Sequence, residues 1–336
     1  MKMPNTTTEC STTEPLQFEP LLKQIRWGGR KLGTRLGKHI GPASDYAESW
    51  ELVDHGTDQS RVSQGPWQGR TLQDLVLTEP QALLGRHAGL RQFPLLVKFL
   101  DAHDRLSVQV HPNDAQAARY QPGEHGKTEA WVVIDAAPGS CVFAGLKPGV
   151  TRAHLEAAIE AVTVESCLNR LPVNQGDCVF IPAGVVHAIG EGVLLAEVQQ
   201  SSDITFRLFD WNRRGADGQP RPLHIAQSLA CTNFHIGPIS AARARPELVQ
   251  PGIEQENLVA CPYFHLRRLS GHGSLTLEEA DRCRIWIITA GRVGWPAQAG
   301  GQRKAGLGCT LLWPAATKPT EVQFAPQTQV IEVTWD

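Results

Sequence analysis

The sequence predicts an all-β protein carrying a few short helices. Three features point there: the apolar runs are short and rich in β-branched residues, Gly, Pro, Asn and Asp punctuate them, and helical periodicity is sparse. In order, the predicted strands are Leu95–Phe99, Leu106–Val110, Ala130–Ile134, Cys178–Ile181, Leu194–Val198 and Ile204–Leu208, followed in the tail by Tyr263–Leu269, Arg284–Thr289, Cys309–Trp313 and Gln329–Trp335. Helices are expected at Leu72–Leu77 and Pro80–Leu84 around a Glu79–Pro80 break, at Asp114–Arg119, at Thr151–Ala161 with Thr151 as the N-cap, and at Leu223–Ala230. Many short strands separated by turn signals suit a sandwich or barrel rather than βαβ units.

The tail echoes the middle of the chain. Gly176-Asp-Cys-Val-Phe-Ile-Pro182-Ala183 has a counterpart in Gly308-Cys-Thr-Leu-Leu-Trp-Pro314-Ala315, and Ala130-Trp131 matches Ile285-Trp286. Two β-units of similar build, the second degenerate, account for the echo. The expected organisation is a disordered lead-in over 1–15, a first unit over 16–240 and a second over 245–336. Aligning the echo puts Arg284 in the place of Glu129 and Pro319 in the place of His187, so the second unit is expected to hold no metal and to serve in packing.

Composition narrows the function classes. The 336 residues carry a net charge of −2 and no Lys/Arg run long enough to follow a phosphate backbone, so no nucleic-acid partner is expected. Apolar runs such as Val193–Ala196 are strand-length, far short of the roughly 20 residues a membrane span needs. Met1–Glu14 is Thr-rich and polar, with no apolar stretch that reads as a secretion signal, which makes the cytoplasm the expected compartment. The eight cysteines form no C-x-x-C pair and read as buried free thiols.

Three segments carry chemistry. In Ser107-Val-Gln109-Val-His111-Pro-Asn-Asp114, Gln109 and His111 are two apart and share a strand face. In Gly126-Lys127-Thr-Glu129-Ala-Trp131, Lys127 and Glu129 share a face at a strand start. Ile181-Pro-Ala-Gly184-Val-Val-His187 places a histidine on the turn after an apolar strand. A lone histidine is ordinarily a hydrogen-bonded surface or core residue. Two imidazoles and a carboxylate on three neighbouring strands, with Gln109 beside them, form a donor set for Zn²⁺. Arg207 lies on the strand after a polar turn, on the face opposite Ile204, Phe206 and Leu208; it needs an anion there, a substrate phosphate or else Asp203 or Asp210 in a plain ion pair. Gly33-Thr-Arg-Leu36 looks like a nucleotide-binding loop, but Trp27-Gly-Gly-Arg-Lys-Leu32 before it does not read as the apolar strand such loops follow.

These motifs, taken in order, resemble type I mannose-6-phosphate isomerase. The resemblance rests on Phe93–Ala102, Leu106–Asp114, Gly126–Trp131, Gly176–Ile189, Gln200–Arg213 and Arg221-Pro-Leu-His224, with Trp27-Gly-Gly29 and Glu48-Ser-Trp-Glu51 upstream. It spans residues 16–230, is closest to the short bacterial forms, and weakens beyond 245. Phe206 and Val132 stand where many members have Tyr. The resemblance implies a cupin fold (a double-stranded β-helix, or jelly roll, with a degenerate cupin-like second unit) and one zinc ion per chain. It implies His111, Glu129 and His187 as zinc ligands with Gln109 as a fourth, Arg207 and Lys127 as catalytic residues, and Lys98, Ser107, Lys127 and Arg207 as substrate-binding residues. The implied activity is interconversion of mannose 6-phosphate and fructose 6-phosphate through a zinc-stabilised cis-enediol, with Lys127, a pocket water or Glu197 moving the proton.

Two rivals share the motif set. An iron-dependent cupin would use the same two histidines and carboxylate, but it gives the Lys98, Lys127 and Arg207 set no work. A non-catalytic sugar-binding cupin would need an output module, and no helix-turn-helix pattern appears in the tail. The expected partner is therefore a small sugar phosphate, bound by a monomer or homodimer.

Overall fold

From Leu95 onward the chain crosses between two facing antiparallel sheets, and this crossing builds the first half of the molecule. A computed structural model of the chain describes residues 14–214, 218–297 and 300–336. One sheet runs in the order Cys178–Ile181, Glu129–Ala136, Val193–Gln200, Leu95–Ala102, Tyr46–Leu52 and Leu21–Gly29. The other runs Leu168–Pro172, Cys141–Leu146, His187–Ile189, Val108–Val110 and Phe206–Phe209. Trp131, Val133, Val193 and Leu195 from the first sheet meet Val142, Ala144 and Ile189 from the second in the layer between them. This is the expected cupin jelly roll. All five predicted helices form, at Leu72–Thr78, Pro80–Leu84, Asp114–Tyr120, Arg152–Glu160 and Ile225–Cys231, and the last two cover the outer face of the five-stranded sheet through Leu155, Ala158 and Leu229.

Alternation explains why both faces of the six-stranded sheet are buried. Trp131 and Val133 point inward, while Ala130, Val132 and Ile134 point outward. The outward set packs on Leu266, Ile285, Ile287, Ile331 and Val333 of a third sheet, forming the largest apolar cluster. That sheet runs Glu247–Gln250, Ile253–Ala260, His265–Leu277, Thr320–Thr334, Arg284–Ala290 and Thr310–Trp313, with the hairpin Arg292–Pro296 and Gln302–Gly306 on its flank. Its inner face buries Trp286, Trp295, Trp313 and Phe324, in edge-on contacts with centroids 5.4 to 6.0 Å apart.

The echo in the sequence is an echo in register. Across the first unit one row reads Val179, Trp131, Glu197, Lys98, Trp50. Across the second it reads Leu311, Trp286, Glu332, Arg267, Asn257. Glu129 lies opposite Ile181, and Arg284 opposite Trp313, each partner standing just before the shared proline.

Some elements had no clear sequence signal. Leu21–Gly29 is a strand with no counterpart among the predicted ones: Lys23, Gln24 and Arg26 interrupt its apolar pattern because it is the sheet's edge. It is antiparallel, and the four-residue helix Lys31–Thr34 after it offers no phosphate cradle, since the Lys31 N–H donates to the Asp101 carboxylate at 2.6 Å. Cys141–Leu146, Leu168–Pro172 and Ile253–Ala260 are further strands not anticipated. Residues 1–13 of the expected lead-in, Cys10 included, lie outside the described residues; Glu14 meets Arg303 at 2.7 Å. The seven described cysteines are free thiols. No helix among the described residues is long and apolar enough to cross a membrane.

The seam between the units is a stability element. Ile331 is fully buried there. Ile331→Ala should cost about 2–5 kcal/mol, read as a lowered urea midpoint. A loss below about 1 kcal/mol would show that the seam is not close-packed at that point.

Candidate metal centre

Each half of the centre comes from one sheet. Glu129 opens its strand in the six-stranded sheet, beside Gln199 on one side and Ile181 on the other. His187 and Gln109 are register partners in the five-stranded sheet, and His111 follows Gln109 at the same parity. The turn that carries His187 is held by Gly184, whose φ is +89° and whose N–H donates to the His111 carbonyl at 2.8 Å. The two sheets thus bring His111, Glu129 and His187 to one point, with a donor atom from each within 4.8 Å of the others.

The hydrogen bonds behind these side chains set their chemical state. His111 Nδ1 lies 3.1 Å from the Ile204 carbonyl and His187 Nδ1 2.9 Å from the Val185 carbonyl. A carbonyl only accepts, so each Nδ1 carries the proton and each Nε2 presents a lone pair. Both Nε2 atoms stand 3.4 Å from Glu129, one at each carboxylate oxygen. Burial, reinforced by Lys127, holds the His111 imidazolium pKa down to about 3, and burial lowers that of His187 as well. The Glu129 carboxyl is pulled below the usual carboxylate range: burial opposes its charge, but Lys127 and the imidazoles outweigh burial. Glu129 Oε2 is buried and has no hydrogen-bond partner. Two neutral nitrogens and a charged oxygen without a hydrogen-bond partner at one point are a donor set that could hold a divalent cation.

Around this point the wall is charged. Lys127 Nζ is 3.5 Å from Glu129 Oε2. Lys98 Nζ lies 3.8 Å from Glu197 Oε1, 3.5 Å from Glu48 and 4.5 Å from the centroid of the Trp50 ring. Trp131 Nε1 donates to Glu197 Oε2 at 3.0 Å. Burial, with the Glu129 charge adding to it, pushes the Glu197 pKa up to about 7 against the pull of Lys127 and Lys98. The cavity they enclose is about 80 Å³, room for the reacting end of a substrate and little more.

The remaining predicted residues fall at different distances from this cavity. Gln109, Lys98 and Lys127 line it; Ser107 is buried one step beyond Gln109 and is not in its wall. Arg207 is the register partner of Gln109 on the edge strand, so it shares that face but stands outside the cavity wall. Its Nη1 donates to the Pro222 carbonyl at 2.9 Å, and its Nε is buried without a partner. Asp210 does not pair with Arg207; it is held by Arg221 at 2.6 Å and Arg213 at 2.7 Å. Asp203 and Thr205, at the same parity as Arg207, line the cavity and were not singled out as site residues from the sequence. Their signal was that shared parity.

A divalent-cation donor set between the two sheets of a jelly roll defines a cupin of the metal-binding kind. Residues 16–145 match the family model described as the catalytic domain of type I phosphomannose isomerase. Mannose-6-phosphate isomerase ManA of Bacillus subtilis is 38% identical over 271 residues, which is 80% of this chain and 83% of that protein. The mannose-6-phosphate isomerase of Streptococcus mutans is 36% identical over 280 residues, 83% of this chain and 86% of that protein. Among solved structures, mannose 6-phosphate isomerase from Bacillus subtilis superposes with a TM-score of 0.86 at 27% identity, covering 96% of this chain and 99% of that one. A variant of phosphomannose isomerase from Salmonella typhimurium gives 0.73 at 15% identity, covering 96% and 100%, a likeness of fold alone. The chain belongs to the type I mannose-6-phosphate isomerase family.

His187 contributes one of the three donors. His187→Ala should leave the fold in place and remove most of the bound metal, measured by elemental analysis of purified protein. Full occupancy in the variant would contradict the donor set.

Proposed function

We propose that this chain interconverts mannose 6-phosphate and fructose 6-phosphate at a single zinc ion held by His111, Glu129 and His187, with Gln109 adjacent, and that 16–240 is the catalytic unit and 245–336 a degenerate second cupin. The observation that carries the reading is the convergence of those three donors beside two buried lysines. When bound, zinc supplies Lewis-acid polarisation of the sugar oxygens at C1 and C2. The side chains do the rest.

Lys127 reaches into the cavity beside Glu129; burial opposes its charge, but the Glu129 and Glu197 carboxylates outweigh burial and raise its pKa, so it stands there as an ammonium that donates to a developing oxyanion. The two oxygens of Glu197 are engaged by Trp131 and Lys98, which makes it the counter-charge that holds Lys98 in the wall rather than the proton shuttle. Arg207, with an unpartnered Nε and with Arg213 and Arg221 nearby, supplies positive charge at the edge of the site, where the phosphate or the reacting end can meet it. Asp203 and Thr205 offer hydrogen bonds to hydroxyls from the same wall. Ser107 is buried just before the strand that carries Gln109, outside that wall. An iron-dependent cupin would hold its metal with the same three donors, but its chemistry brings no phosphate for the unpartnered Nε of Arg207 to meet.

A coupled assay for fructose 6-phosphate tests the reading. A chelator should abolish turnover of mannose 6-phosphate and added zinc should restore it; activity that survives complete metal removal would overturn the proposal. Arg207→Ala should keep its metal and its melting temperature yet lose about 10²-fold or more in turnover, with Arg207→Lys recovering part. Near-wild-type turnover in Arg207→Ala would make Arg207 a structural residue.

A further inference from the structure

The second unit keeps the charged row of the first but not its metal ligands. Trp286 Nε1 donates to Glu332 Oε2 at 2.8 Å, as Trp131 does to Glu197. Arg267 Nε meets Glu332 Oε1 at 2.6 Å, in the position of Lys98. One register step along the neighbouring strand, where Glu129 stands in the first unit, is Arg284. The facing wall is the turn 278–282 and the curled end of the strand His265–Leu277, which leave a cavity of about 550 Å³. Its volume lies within the range of small-molecule sites. The histidine in the cavity wall among the described residues, His265, meets the Asp336 carboxylate at 3.5 Å.

Charge decides what the cavity suits. Arg267 is satisfied by Glu332 and by Gln255 Oε1 at 2.6 Å. Arg282 meets the Asp336 carboxylate at 3.0 Å. Arg284 has one hydrogen bond among the described residues, from Nη2 to the Glu278 carbonyl at 2.5 Å, and no ion pair. Burial, with Arg267 and Arg282 nearby, disfavours its charge, while Glu332 and Glu278 favour it. A half-buried guanidinium with most of its donors without a partner among the described residues, facing an open cavity, is matched by an oxyanion. Gln255, Asn257 and Thr334 add uncharged donors and acceptors around it.

We propose that this cavity is a second, metal-free ligand site, which binds a phosphate group, free or on a small hydroxylated monoester, through Arg284. The site replaces the carboxylate of the catalytic unit by a guanidinium on the same framework, and so inverts its preference from cation to anion. It does not depend on the isomerase reading.

The row supplies its own reporter, because the Trp286 indole N–H is bonded to the carboxylate that holds Arg267, while the Trp131 indole reports the metal centre separately. In ¹H–¹⁵N spectra of the intact, metal-loaded protein, titration with inorganic phosphate should move the Trp286 indole resonance saturably. Arg284→Met should weaken that titration by about tenfold or more, the scale of one charge-assisted hydrogen bond lost, and leave the Trp131 resonance and melting temperature unchanged. Arg284→Lys should recover part of it. Glycerol 3-phosphate binding more tightly than phosphate would identify an esterified ligand read by the polar wall; equal binding would identify free phosphate. A Trp286 resonance that does not move with either ligand, or moves equally in Arg284→Met, would overturn the proposal.

Discussion

The buried carboxylate of Glu129 is the constraint on which the rest of the site depends. A buried charged oxygen with no hydrogen-bond partner among the described residues costs several kcal/mol unless cations surround it. Lys127 answers part of that demand at 3.5 Å, and two imidazoles present lone pairs rather than protons toward the remainder. A divalent cation would satisfy the lone pairs and the carboxylate together. The strand geometry follows from this need: Glu129 must be level with His187 across the gap between sheets, and the Gly184 turn sets that level.

The Trp–Glu–cation row beneath the centre belongs to the framework rather than to the chemistry. It recurs in the second unit with the same hydrogen bond from indole to carboxylate. A buried carboxylate between a tryptophan and a basic side chain locks three central strands in register, because a one-residue slip would leave all three polar groups unpaired on the apolar face. What differs between the units is the residue one step along. In the first unit Glu129 stands there beside two histidines, and in the second Arg284 stands there at the wall of an open cavity. The two units are joined back to back through apolar residues that alternate with these polar ones, so one set of strands serves both the seam and the sites.

Much of this was legible in the sequence wherever parity carried the information. Gln109 with His111, and Lys127 with Glu129, are two apart on strands, and period 2 alone puts each pair on one face. Most of the short inner strands were visible because their faces are buried and their sequences largely apolar, Cys141–Leu146 being an exception. The edge strand Leu21–Gly29 was not, since an edge tolerates lysine and arginine that break the pattern. Nor could parity say how far along a face the cavity extends: Ser107 and Arg207 share the face of Gln109, yet neither lines the cavity, whereas Asp203 and Thr205 do. The Glu197–Trp131 bond spans 66 residues of chain and depends on register between strands, which no local pattern encodes.

The central claim is that two imidazoles and a carboxylate, with no thiolate, hold one zinc ion. X-ray absorption at the zinc edge of the metal-loaded protein tests it most directly. The account predicts a nitrogen and oxygen shell at about 2.0–2.2 Å, with outer-shell scattering from two imidazoles. A sulfur shell at about 2.3 Å, or an ion ringed by water with no imidazole signature, would contradict it.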